Sequence, residues 1–147
     1  MVANKLLEHV LLALGGNGDS FNMSSAYLAL STTAPNKDGT NVTEPSSTLG
    51  YQRSQLGGPS NTRYMGSPTY DASTGKYTIT NTKEIHFNVA TSGWGTITHF
   101  AIYTYATGGT MYYSGQLTTP MNVTEGEVVV IKPGKITITL SAAELTA

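Results

Sequence analysis

Apolar and polar positions alternate with a period of two along much of the C-terminal half of the chain. In Lys135-Ile136-Thr137-Ile138-Thr139-Leu140 the two isoleucines and the leucine share one face and the threonines hold the other, the pattern of a half-buried strand. β-rich runs cover residues 26–32, 51–56, 76–81, 84–89, 96–105, 110–117, 127–132 and 135–141. Glycine and proline punctuate them: Ala106-Thr107-Gly108-Gly109 reads as a hairpin loop, and Pro133-Gly134 and Ala34-Pro35-Asn36-Lys37-Asp38-Gly39 as turns. About eight short strands at this spacing predict an all-β fold, an antiparallel β-sandwich of Ig-like or jelly-roll-like type. One segment has a different period. Over residues 4–14, Leu6, Leu7, Val10, Leu11 and Leu14 fall on one helical stripe, with Asn4 placed to cap the start and Gly15-Gly16 to stop it. The expected organisation is a short N-terminal α-helix in residues 1–16, serving assembly or docking, and one sandwich domain in residues 17–147.

A helix this short is marginal alone, so its leucine stripe must dock, either on its own sheet or on a neighbouring subunit. Composition bears on that choice. Only 12% of the 147 residues are charged, about half the usual share, and Ser and Thr fill the gap. Such a surface lacks the repulsion that keeps free monomers apart, and suits a homo-oligomer such as a trimer. A net charge of −1 and the lack of any Lys/Arg cluster argue against nucleic-acid binding. Cysteine is absent, which removes disulfides and thiol chemistry. The apolar run from Leu6 to Leu14 is broken by Glu8 and His9 and is too short to span a bilayer. Neither an export signal nor membrane insertion is expected.

Candidate chemistry is thin. His9, His86 and His99 have no partner at metal-ligand spacing; His86 alternates with Ile85 and Phe87 and should point outward, and His99 should be packed or at an interface. The segment around Gly39 resembles a calcium loop, but alanine and proline stand where carboxylates are required. There is no GxSxG, SxxK or phosphate-cradling loop. The expectation is no catalytic residue, no metal, no cofactor and no enzyme. The aromatics are different: Tyr103, Tyr105, Tyr112 and Tyr113 surround one hairpin and Trp94 precedes it. Exposed, they could stack on sugars or anchor a partner; buried, they are core. Alternation places Tyr112 and Tyr113 on opposite faces, so at least one is expected outward. The candidate interface is therefore Leu6, Leu7, Val10, Leu11, Leu14, Trp94, Tyr103, Tyr112 and Tyr113. Residues 57–69 read as a long loop, functional or ordered by a partner.

Several pieces occur in a distinctive order: the Asn4-Lys5-Leu6-Leu7-Glu8-His9 helix, Tyr27-Leu28-Ala29-Leu30-Ser31-Thr32-Thr33-Ala34-Pro35, Glu44-Pro45, Gly50-Tyr51-Gln52-Arg53 and Ile85-His86-Phe87. They are followed by Ser92-Gly93-Trp94-Gly95-Thr96-Ile97-Thr98-His99-Phe100-Ala101-Ile102-Tyr103, Gly108-Gly109-Thr110-Met111-Tyr112-Tyr113-Ser114-Gly115-Gln116-Leu117, Gly126 and Gly134-Lys135-Ile136-Thr137-Ile138. In these the chain resembles a family of small tailed-bacteriophage virion proteins labelled phage tail fibre proteins. The resemblance implies a structural protein of the virion, assembled in the host bacterial cytoplasm. Without a repeating shaft, the reading preferred from sequence is capsid decoration, with self-association and docking on the major capsid protein. A tail-fibre or tail-tip component bound to tail proteins, or a module binding host-surface glycan, is the alternative.

Overall fold

The computed structural model describes residues 1–15, 25–58 and 62–141. Helix α1 (Asn4–Leu14) forms where the 3.6-residue stripe places it. Asn4 is its first residue and not its cap: the Ala3 carbonyl accepts from the Leu6 and Leu7 amides at 3.1 and 3.4 Å, and the helix closes with the Gly15 amide on Leu11. The Gly16 stop lies outside the described residues.

The strands are β1 (Tyr27–Ser31), β2 (Ser54–Gln55), β3 (Gly57–Gly58), β4 (Thr62–Arg63), β5 (Thr69–Asp71), β6 (Lys76–Thr80), β7 (Ile85–His86), β8 (Gly95–Tyr103), β9 (Met111–Val123), β10 (Val130–Ile131) and β11 (Thr137–Ser141). All pairings are antiparallel. One sheet has the order β2-β1-β8-β9 and another the order β11-β6-β5, with short ladders β10-β7 and β3-β4. The result is the sandwich-like all-β fold that the period-two pattern predicts.

The main core lies between these layers: Leu28, Leu30, Ile97 and Ile102 from the first sheet meet Leu56, Ile85, Ile131 and Ile136 from the rest. A smaller cluster of Ala3, Ala29, Ala101, Tyr103 and Met111 covers the opposite face of the first sheet. The N-terminus supplies part of that cover. Val2 bridges to Tyr113, the Ala3 amide donates to the Tyr112 carbonyl, and the Ser114 amide donates to the Met1 carbonyl. Val2 and Ala3 are buried, so residues 1–14 belong to the folded domain and are not a detachable arm.

Two departures from the expected strands have local causes. β9 continues to Val123 through Thr118, Thr119 and Pro120; Leu117 to Pro120 bulge opposite the single residue Thr98, and a bulge is where a sheet tolerates proline. The expected loop 57–69 contains β3, β4 and the start of β5, with residues 59–61 outside the described residues. Gly57-Gly58 carries no apolar alternation that could announce a strand.

Asn81, 2% exposed, stitches the second layer. Its Oδ1 accepts from the Ile136 amide at 2.9 Å, and its Nδ2 donates to the carbonyls of Lys83 and Lys132 at 2.9 and 3.0 Å. Its own carbonyl accepts from Gly134 at 2.8 Å. Asn81→Ala strands one amide and two carbonyls beside the β10–β11 turn and should cost about 3 kcal/mol. Chemical denaturation checks it; a loss below about 1 kcal/mol would mean that water replaces the amide without penalty.

Candidate functional site

Arg53 organises the most elaborate polar cluster of the fold. It precedes β2, beside β1, and its side chain is 7% exposed. Burying a guanidinium is costly unless its donors are matched, and here they are. Nε and Nη2 form a fork on the Glu44 carboxylate at 2.9 and 2.7 Å. Nη1 donates to the carbonyls of Tyr105 and Gly108 at 2.8 and 2.7 Å. The guanidinium carbon sits 3.7 Å from the centre of the Tyr103 ring, an attractive cation–π distance.

Tyr51 completes the cluster, its hydroxyl donating to Glu44 at 2.7 Å and accepting from the Leu30 amide at 3.0 Å. Burial, then the charge and hydrogen bond of Glu44, push the Tyr51 hydroxyl far above its ordinary pKa, so it remains a neutral donor. Burial works against the Arg53 charge, but the hydrogen bond and attraction of Glu44 outweigh it and raise the pKa. Burial also raises Tyr103, opposed by the nearby Arg53 charge.

The backbone around this cluster is specialised. Gly50 has φ 81° and caps the short 3-10 turn Ser47–Leu49; a Cβ there would stand 2.5 Å from the Val89 carbonyl oxygen. That turn swings Tyr51 inward and Gln52 outward. The loop between β8 and β9 is closed by the Thr104 amide on the Thr110 carbonyl at 3.1 Å and contains Gly108 and Gly109 at φ 60° and 75°. Its carbonyls, turned to Arg53, hold it against the Glu44 segment. Between them opens a cleft of about 510 Å³, lined in part by Glu44, Ser47, Gln52, Asn88, Thr107 and Gly108.

A second concavity is apolar. Val2, Leu6, Pro68, Tyr77, Ile79 and Leu140 are among the residues lining a groove of about 260 Å³ between the N-terminal segment and the inner face of β6 and β11. That sheet packs on the core through Ile136 and Ile138 and leaves Tyr77 and Tyr70 outside it, 55% and 58% exposed, with ring centres 4.9 Å apart.

The structure separates the residues proposed from sequence as one interface. Leu6 and Leu7 pack against the core and Val10 is half-buried, so much of the leucine stripe docks on its own domain. Leu11 is 70% exposed, and the Leu14 side chain lies outside the described residues. Trp94, Tyr103, Tyr112 and Tyr113 are all buried. Alternation does send Tyr112 and Tyr113 to opposite faces, but both faces are covered. Tyr113 stacks near Phe100 at 6.2 Å, and Tyr112 lies against His9 of α1 at 5.2 Å. The expectation that one of the pair points outward fails because α1 covers β9. Trp94 packs edge-on to Tyr51 at 5.3 Å and donates from Nε1 to the Leu49 carbonyl at 2.8 Å; it is not available to stack on a sugar.

His86 is exposed beside Glu84 at 3.0 Å, with Ile85 and Phe87 buried on either side. His99 is half-buried, and burial lowers its pKa. The Asp38-Gly39 segment is a turn: the Gly39 amide donates to the Asn36 carbonyl at 3.0 Å. Hydrogen bonds from Thr40 lower the Asp38 pKa. Among the described residues no group of three or more His, Asp or Glu is placed to hold a metal ion, and no helix is long and apolar enough to cross a membrane.

Sequence reasoning passed over Glu44 and Arg53 as a pair. The signal available was their presence, nine positions apart, in a chain with only eight Lys and Arg residues. Residues 1–139 match the model of a protein family described as podophage GP4 fiber I protein gp80. No curated protein matches the chain.

Proposed function

The chain belongs to the podophage GP4 fiber I protein family, and from that premise we propose that it is a fibre component, carried on the virion as a non-enzymatic β-domain. The observation that carries this reading is the extent of the match, which runs from Met1 into β11. Capsid decoration, preferred from sequence for want of a shaft repeat, is the less supported location: a globular domain without a shaft can still be part of a fibre. Phage lacking the gene should package DNA into normal heads but miss a fibre and adsorb poorly. Normal adsorption combined with fragile heads would favour decoration.

Within that assembly we assign the apolar groove to a neighbouring copy of the chain. The chain is poor in charge, and among the described residues none that lines the groove is charged, leaving no charge there to repel a copy. Truncating residues 1–14 is an unsuitable test because it removes the buried Val2 and Ala3. Tyr77→Glu places a charge at a site already 55% exposed, leaving the fold intact. Sedimentation should show wild-type oligomers and a mutant self-association weakened at least about tenfold, roughly 1.4 kcal/mol. Identical masses for the two would refute this contact.

A further inference from the structure

We propose that the cleft beside the Arg53-held loop binds a neutral, hydroxyl-rich saccharide. This goes beyond the fibre reading and does not depend on where the protein sits on the virion.

The first argument is rigidity. Arg53 spends Nη1 on two carbonyls of a solvent-facing loop, those of Tyr105 and Gly108, and the Thr104 hydroxyl accepts from the Thr110 amide at 3.0 Å. Replacing a buried ion pair by apolar residues is often neutral or stabilising, so stability alone gives little reason for a buried guanidinium here. What the guanidinium supplies is a fixed loop shape, and a fixed shape lowers the entropy lost when a ligand binds.

The second argument is chemistry. Ser47 and Thr107 contribute hydroxyls and Gln52 and Asn88 contribute amides to the lining. The Asn88 Nδ2 donates to the Gln52 Oε1 at 3.1 Å, which orients the two amides together and leaves the Asn88 oxygen and the Gln52 nitrogen for a ligand. Adjacent acceptor and donor groups of this kind match the vicinal hydroxyls of a sugar. The one carboxylate, Glu44, is neutralised by the Arg53 fork, so the cleft selects no ionic ligand.

The third argument is size. About 510 Å³ falls within the range of small-ligand pockets.

The test uses the purified full chain on an array of bacterial surface oligosaccharides, with Gln52→Ala/Asn88→Ala as the variant. Both side chains are exposed, so the variant should keep the wild-type melting temperature. Binding to neutral oligosaccharides that falls at least about tenfold in the variant supports the site. No neutral oligosaccharide bound by the wild type, or binding that the double variant retains, overturns it. Retention of anionic glycans alone, lost on adding salt, also overturns it, because it would report surface lysines and not this cleft. Since the measurement is made on the isolated protein, its failure leaves the fibre assignment standing, and the loss of the fibre assignment would not undo it.

Discussion

Arg53→Ala should lower the stability of the domain by about 3–5 kcal/mol, the cost of breaking a buried ion pair from one side. The variant leaves the Glu44 carboxylate, 23% exposed, without the fork that neutralises it. It also leaves the Tyr105 and Gly108 carbonyls without their donor and the Tyr103 ring without its cation. At this chain length the loss corresponds to a fall in Tm of roughly 6–20 °C. Arg53→Lys keeps the charge but cannot serve a carboxylate and two carbonyls from one ammonium, so it should recover only part of the loss. Hydrogen exchange adds a local readout: amides between Thr104 and Thr110 should exchange faster in both variants. A melting curve within about 2 °C of wild type for Arg53→Ala would show that the cluster is a surface pair, of little worth to the fold.

Trp94→Ala should cost a similar amount, about 3–5 kcal/mol, by deleting a large buried side chain. It also removes the indole donor to the Leu49 carbonyl and the edge contact that positions Tyr51. The magnitude decides between two readings that the sequence leaves open. An outward tryptophan kept for ligand contact would tolerate alanine within about 0.5 kcal/mol. Trp94→Phe separates the contributions: it keeps most of the packing and should lose about 1–3 kcal/mol for the unmatched carbonyl. Urea titration of the three proteins measures both.

The parts of the fold legible in the sequence are those with a local cause. The helical stripe over Asn4–Leu14 and the alternation of Ile136, Ile138 and Leu140 follow from the period of one element. The Pro133-Gly134 turn is just as local: the Lys135 amide donates to the Lys132 carbonyl and Gly134 takes φ 82°. What alternation cannot state is what covers the second face of a strand. Tyr112 is buried because α1 crosses β9, a tertiary fact with no mark at residue 112. Likewise Glu44 sits on a polar segment and Arg53 in the short run 51–56, and they become a cluster only when the β8–β9 loop, more than fifty positions along, is brought to them. Leu11 shows the reverse case. The helix rule places it with Leu7 on an apolar stripe, yet it is 70% exposed while Leu7 packs on the core.

The most direct test of the fibre assignment is immunogold labelling of intact virions with antibody raised against the purified domain. Gold gathered on fibres at the tail is the result expected. Gold spread evenly over the capsid shell, with bare fibres, would contradict it.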